Sequence, residues 1–200
     1  MTNISTGIGA IGLCGAHCTG KSTLGAELSD LVGIPFAATS ASATMLGMKI
    51  PPDEVITSFS TRMEVQEAIL EVSEDLWGKF ETPFISDRTP MDMLAYTMAD
   101  IQGNTKIDES RIAKYIKKCI AATNKYFSYF ILLQPGIPLK KRKGKALPSE
   151  GFMCHLNLIL MGLTCSEHVE GEVFWMPVKE TVLENRITLV MEWLEEYDIC

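Results

Sequence analysis

The chain has no run approaching the ~18 uninterrupted apolar residues of a membrane helix, and no basic stretch precedes the first apolar segment. Neither a spanning helix nor a secretory leader is expected, so a cytoplasmic location is. Closely spaced cysteine pairs are missing too: the six cysteines stand at 14, 18, 119, 154, 165 and 200. At 200 residues and 46% hydrophobic content the chain can bury a core without staples, so reduced thiols are expected. Positive charge is in deficit. A net charge of −7 argues against a broad grip on nucleic acid, which draws much of its energy from cations meeting phosphates. No internal repeat or low-complexity segment interrupts the sequence, and one globular domain over 1–200 is expected.

What is present is an alternation of short apolar runs and longer amphipathic segments, the pattern of a parallel sheet covered by helices on both faces. Strands are predicted at Ile8–Cys14, Ile34–Ala38, Pro83–Asp87, Tyr129–Leu133 and Glu172–Met176. Helices are predicted at Lys21–Leu31, Arg62–Phe80, Pro90–Ile101, Glu109–Tyr126, Glu150–Glu167 and Lys179–Glu196. In the second of these, Val65, Ile69, Val72, Leu76 and Phe80 recur at helical spacing, which predicts a stripe facing the sheet. Gly and Pro punctuate the joins, at Gly33, Pro35, Pro51, Pro52, Gly103, Pro135, Gly136 and Pro177.

Gly15-Ala16-His17-Cys18-Thr19-Gly20-Lys21-Ser22 fits G-x-x-x-x-G-K-[ST] and lies between a predicted strand and a predicted helix. Such a loop curls so that successive backbone N–H groups face one anion, and the helix beginning at Lys21 adds its positive end. The pattern implies a nucleotide-phosphate cradle in which Lys21 reaches the β- and γ-phosphates and the Ser22 hydroxyl ligates Mg²⁺. Thr23 either supports the helix start or joins the metal shell, or simply faces solvent or packs in the core. His17 and Cys18 contribute only their backbone amides.

A second polar site follows the third strand, in Phe84-Ile85-Ser86-Asp87-Arg88-Thr89-Pro90-Met91-Asp92. The strand delivers a carboxylate and a guanidinium to the carboxyl edge of the sheet, where ligands of open α/β sheets bind. Asp87 is suited to accept a proton from an acceptor hydroxyl or to organise Mg²⁺, and Arg88 to neutralise phosphate charge. The alternative is an ion pair capping the helix that starts near Pro90, with Asp92 helping in its first turn. With these two motifs and this element order, the chain resembles the P-loop nucleoside and nucleotide kinases, in particular the small phage and bacterial type. The resemblance implies an α/β fold with a five-stranded parallel sheet, helices on both faces and a lid after the fourth strand. It also implies ATP and Mg²⁺ as cofactors. The lid falls at 134–149 and contains Lys140, Lys141, Arg142, Lys143 and Lys145, of which Arg142 is the best candidate for the cation that closes over the transferring phosphoryl group.

The acceptor is less determined. Relatives of the thymidylate-kinase type carry an Arg-containing motif after the second strand, whereas this chain has Ala37-Ala38-Thr39-Ser40-Ala41-Ser42-Ala43-Thr44. An uncharged, hydroxyl-rich segment suits a neutral hydroxyl on a nucleoside-class acceptor better than a plain monophosphate, although Arg62 or Arg88 would supply a cation. Arg62 and Gln66 are one helical turn apart and are candidates to touch the acceptor, Gln66 by reading a base. A specialised form of the same reading is a phage kinase acting on 5-hydroxymethyluracil in DNA, with the basic loop meeting the backbone. A different class is a P-loop ATPase or switch that moves a partner, with Asp87 polarising water. Zinc at Cys154, His155, Cys165 and His168 is disfavoured, because on one helix the two cysteines stand about 16 Å apart at ~1.5 Å rise per residue; buried thiols are the ordinary expectation there. Trp175, Met176, Pro177 and Val178 stand where similar kinases hold adenine, with Trp175 expected in the core, as are Trp77 and Trp193.

Overall fold

The computed structural model describes residues 9–50, 58–81, 83–101, 105–139 and 149–199. Five strands form one parallel sheet: β1 (Ala10–Cys14), β2 (Phe36–Ala37), β3 (Ile85–Ser86), β4 (Phe127–Leu133) and β5 (Glu172–Met176), in the order β2-β3-β1-β4-β5. Among the described residues seven helices accompany them: α1 (Lys21–Val32), α2 (Ala41–Met48), α3 (Phe59–Trp77), α4 (Pro90–Ala99), α5 (Glu109–Tyr126), α6 (Glu150–Thr164) and α7 (Leu183–Glu195). The doubly covered parallel sheet expected from the sequence is the fold observed. Among the described residues no helix is long and apolar enough to cross a membrane.

β1 is central, and its run Ala-Ile-Gly-Leu-Cys is buried throughout because both faces are covered. Its side chains alternate between layers. Ala10 and Cys14 join Phe127, Phe130 and Trp77 in the core beneath α3, α4, α5 and α6, while Ile11 and Leu13 join Leu24, Leu28, Val190 and Leu194 beneath α1 and α7. The period of two along the strand thus builds two cores on opposite faces.

Three expectations need correction. The stripe on α3 is rotated: Met63, Val65, Ile69, Leu70, Ser73 and Trp77 are buried, Leu76 and Phe80 are only partly covered, and Val72 is 53% exposed. Trp77 turns this face inward, because its indole packs edge-on to Phe127 at 5.0 Å and its Nε1–H donates to Ser86 Oγ at 3.2 Å. The segment 37–44, read as small and hydroxylic without a helix, runs from the end of β2 into α2, which is capped by Ser40, accepting from the Ala43 N–H, and ended by Lys49 at φ 57. The helix buries no residue fully, so it leaves no periodic signal. Finally, Cys154 and Cys165 are exposed thiols, whereas Cys14 and Cys119 are the buried ones.

Candidate active site

The carboxyl ends of β1 and β3, neighbours in the sheet, bring the two sequence motifs together. After β1 the chain turns through Gly15 at φ 152, where an added Cβ would stand 2.5 Å from the Leu133 carbonyl oxygen. It then passes Cys18 at φ 64 and reaches Gly20 at φ 92, immediately before α1. Both glycines therefore hold backbone shapes that side chains rarely adopt. Thr19, almost fully buried, closes the loop on itself by donating from Oγ1 to the Ala16 carbonyl at 2.8 Å. Lys21 Nζ donates to the carbonyls of Gly15 and Ala16 at 2.5 and 2.9 Å, so the ammonium lies over the loop. Burial pushes the Lys21 pKa down, against the opposing pull of Asp92.

Across from the loop, Ser22 Oγ donates to Asp87 Oδ2 at 2.5 Å. The other Asp87 oxygen accepts from the Thr39 N–H at 3.0 Å and from Thr39 Oγ1 at 3.2 Å. The capping alternative for Asp87 is not what forms: the cap of α4 is Thr89 with Asp92, in a reciprocal capping box with Pro90 at the first turn. Ser86 stands behind Asp87 and Arg88, donating to the Arg88 carbonyl at 2.7 Å while it accepts from Trp77. Sequence reading missed Ser86 and Thr39, because a small polar residue beside a charged motif has no spacing of its own.

Ser22 and Asp87 form an oxygen-only pair, and among the described residues no group of three or more His, Cys, Asp or Glu gathers to cage a metal. That donor set fits Mg²⁺, which takes one or two protein oxygens and completes its shell with water and substrate phosphates. Thr23 is exposed on α1, and His17 and Cys18 carry side chains toward different surroundings.

His17 does more than offer an amide. Its N–H donates to the Tyr96 hydroxyl at 3.1 Å, and its Nδ1 lies 3.0 Å from the same oxygen. The hydroxyl accepts the first bond, and the imidazole tautomer sets which atom donates in the second. Tyr96 and Phe152 pack beside the imidazole at ring separations of 6.4 and 6.3 Å. Burial first, and the Lys21 charge second, push the His17 pKa below its ordinary 6.5. The unfolded chain therefore binds more protons from about pH 6.5 down to that lowered value, and stability falls as the solution is acidified through this window. The expected outcome is that melting temperature drops between about pH 7 and pH 5 less steeply in His17→Gln than in the parent chain.

A cavity of about 370 Å³ opens beside this cluster, lined by Arg62, Gln66, Arg88, Tyr96, Asp100 and Phe152 among others. Arg62, Gln66 and Arg88, selected from sequence, meet here. Arg62 Nη1 pairs with Asp100 at 2.6 Å, and burial pushes the Asp100 pKa up against that pairing. Gln66 Oε1 is buried and has no hydrogen-bond partner among the described residues. Arg142 and the other cations of 140–145 lie outside the described residues, as does most of the expected lid; Gln134 at its base donates from Nε2 to the Met176 carbonyl at 3.0 Å. Trp175, expected in the core, packs partly buried against it.

Residues 10–142 match a family model described as AAA domain. No curated protein matches the chain. Among solved structures it is similar to deoxyadenosine kinase from M. mycoides with bound dATP, at 20% identity over 94% of this chain and 99% of that one, with a TM-score of 0.69. It is also similar to thymidylate kinase from Candida albicans, at 15% identity over 96% and 93% of the two chains and a TM-score of 0.66. The YorR protein from Bacillus subtilis, in complex with phosphorylated GDP, is 14% identical over 93% and 95%, with a TM-score of 0.52. At these identities the likeness establishes the fold. The family model spans well over half of the sequence, and the chain belongs to the AAA domain family, built on the five-stranded parallel fold of the P-loop nucleoside kinases.

Proposed function

We propose that the protein transfers the terminal phosphoryl group of ATP to a hydroxyl of a free nucleoside- or nucleotide-class acceptor. The observation that carries this reading is the junction at the end of β3: Asp87 touches Ser22 of the phosphate loop, and the next residue, Arg88, lines the cavity that contains Gln66. A phosphate cradle and a cavity the size of a nucleoside thus meet across one dipeptide, the proximity that in-line transfer needs. Lys21 and Arg88 would spread the charge developing on the transferring group, and Arg142 is proposed to join them from the lid. Asp87 would order the metal with Ser22 or take the acceptor proton. Bound Mg²⁺ would supply charge neutralisation across the phosphates.

Support for a base in the cavity comes from Gln66. A buried amide oxygen without a donor costs free energy that an incoming N–H would recover. Phe152 and Tyr96 line the same cavity, and aromatic rings there suit a planar base. The same cavity favours a single free nucleoside or nucleotide over a base within DNA, because α2, α3, α4 and α6 all contribute to its wall. The nucleoside kinases and thymidylate kinase of like fold lend the reading a precedent, with deoxyadenosine kinase bound to dATP among them.

Gln66→Leu tests the acceptor half. The expected result is an acceptor KM raised about tenfold with the KM for ATP within about twofold of the parent, the loss of one neutral hydrogen bond. Equal changes in both KM values would move Gln66 out of the acceptor site. An ATPase or switch is separated by acceptor dependence, since a kinase should release little free phosphate without its acceptor.

A further inference from the structure

Arg186, on the first turn of α7, is 2% exposed, which is exceptional for a guanidinium. It makes no ion pair among the described residues, where the ion pairs join other side chains. Its bonds run to backbone oxygens: Nε donates to the Glu180 carbonyl at 2.7 Å and Nη1 to the Thr19 carbonyl at 2.8 Å, while Nη2 is buried without a partner. The Glu180 carboxylate is engaged elsewhere, accepting from the Val182 N–H and from Asn185 Nδ2. Burying a cation against carbonyls alone is costly, and replacing such a group by an apolar one commonly stabilises a fold. A residue kept at that cost is a candidate for function.

The place it occupies indicates which function. Thr19 is the residue before Gly20 in the phosphate loop, and an added Cβ on Gly20 would stand 3.2 Å from Arg186 Nη1. The Thr19–Gly20 peptide bond is trans, so the Thr19 carbonyl and the Gly20 N–H point in opposite directions across one plane. Holding the Thr19 carbonyl on Arg186 therefore fixes the Gly20 N–H in the direction away from the guanidinium. We infer that Arg186 is a positioning residue of the cradle, which aims the Gly20 N–H at the nucleotide and whose buried charge is complemented by the phosphates. This rests on the nucleotide-binding reading of the loop and deepens it. The Glu180 bond adds a second consequence: the cradle is tied through one side chain to the segment after β5, where Val178 lies against Gly136.

The test measures Mg·ADP affinity by titration calorimetry, melting temperature without nucleotide, and both KM values, for the parent chain, Arg186→Met and Arg186→Lys. Expected are at least tenfold weaker ADP binding in Arg186→Met, a KM for ATP raised to match, an acceptor KM within twofold, and a nucleotide-free melting temperature unchanged or raised. Arg186→Lys keeps the charge without the fork and should lose threefold to tenfold, which preserves the test if the Met variant does not fold. A purely structural arginine would do the reverse, lowering the melting temperature and leaving ADP affinity of the folded variants within twofold. That result overturns the inference alone. Failure of the parent chain to bind ADP would overturn the nucleotide reading and this inference with it.

Discussion

Lys21→Ala lowers phosphoryl transfer by about 10²–10³-fold and leaves the melting temperature nearly unchanged, the size expected when one charge-stabilising donor is removed from a preorganised site. The two halves of this expectation have separate causes. Catalysis suffers because Lys21 is the cation that the loop holds over itself, donating to the Gly15 and Ala16 carbonyls. Stability does not, because the two bonds lost are offset by relief of a partly buried ammonium whose pKa desolvation already pushes down. Steady-state kinetics with a thermal melt on the same preparation checks both. A folded Lys21→Ala chain with full activity would contradict the mechanism, and a variant that lost activity only by unfolding would remove the argument that the loop is built for phosphate.

Asp92→Ala should have the largest effect on stability, a loss of about 3–5 kcal/mol, from several buried hydrogen bonds broken at once at about 1–3 kcal/mol for each group left unsatisfied. Asp92 is 1% exposed and accepts from the Gly15 N–H at 2.9 Å, the Thr89 N–H at 2.8 Å and Thr89 Oγ1 at 2.9 Å. The carboxylate thus joins the first residue of the cradle to the first turn of α4. Alanine orphans two backbone donors in the core, and this is a large share of the ~5–15 kcal/mol that holds a domain folded. Urea denaturation reads the loss directly, and ADP affinity should fall with it because Gly15 is released. A change below about 1 kcal/mol would show that water or backbone movement satisfies those donors.

These two residues also mark the limits of the sequence. Lys21 was singled out because the glycines around it stand at the fixed offsets of a phosphate-loop pattern, and the parallel sheet was legible because β1 and β4 are largely apolar runs between amphipathic helices. Asp87 and Arg88 were identifiable as a charged pair at the end of such a run. Asp92 was visible only as a residue of a helix first turn. Its bond to Gly15 spans 77 positions and leaves no local pattern. Arg186 and Tyr96 escaped for the same reason, each reaching the loop from a helix whose own periodicity explains it as packing. On α3 the missing information was rotational: Val72 is apolar and correctly spaced but exposed, because Trp77 and Leu70 carry the inward face. Gln66 was singled out for its chemistry on a helix expected near the acceptor, and its place on a cavity wall with an unsatisfied oxygen became visible only in the folded chain.

The most direct measurement of the central claim is a transfer assay with γ-labelled ATP and Mg²⁺ against separate pools of nucleosides, nucleotides and duplex DNA with and without hydroxymethylated bases. Label should appear in the nucleoside or nucleotide pool, with little free phosphate when acceptor is withheld. Label released only as free phosphate, at a rate indifferent to every pool, would contradict phosphoryl transfer to an acceptor and leave an ATPase in its place.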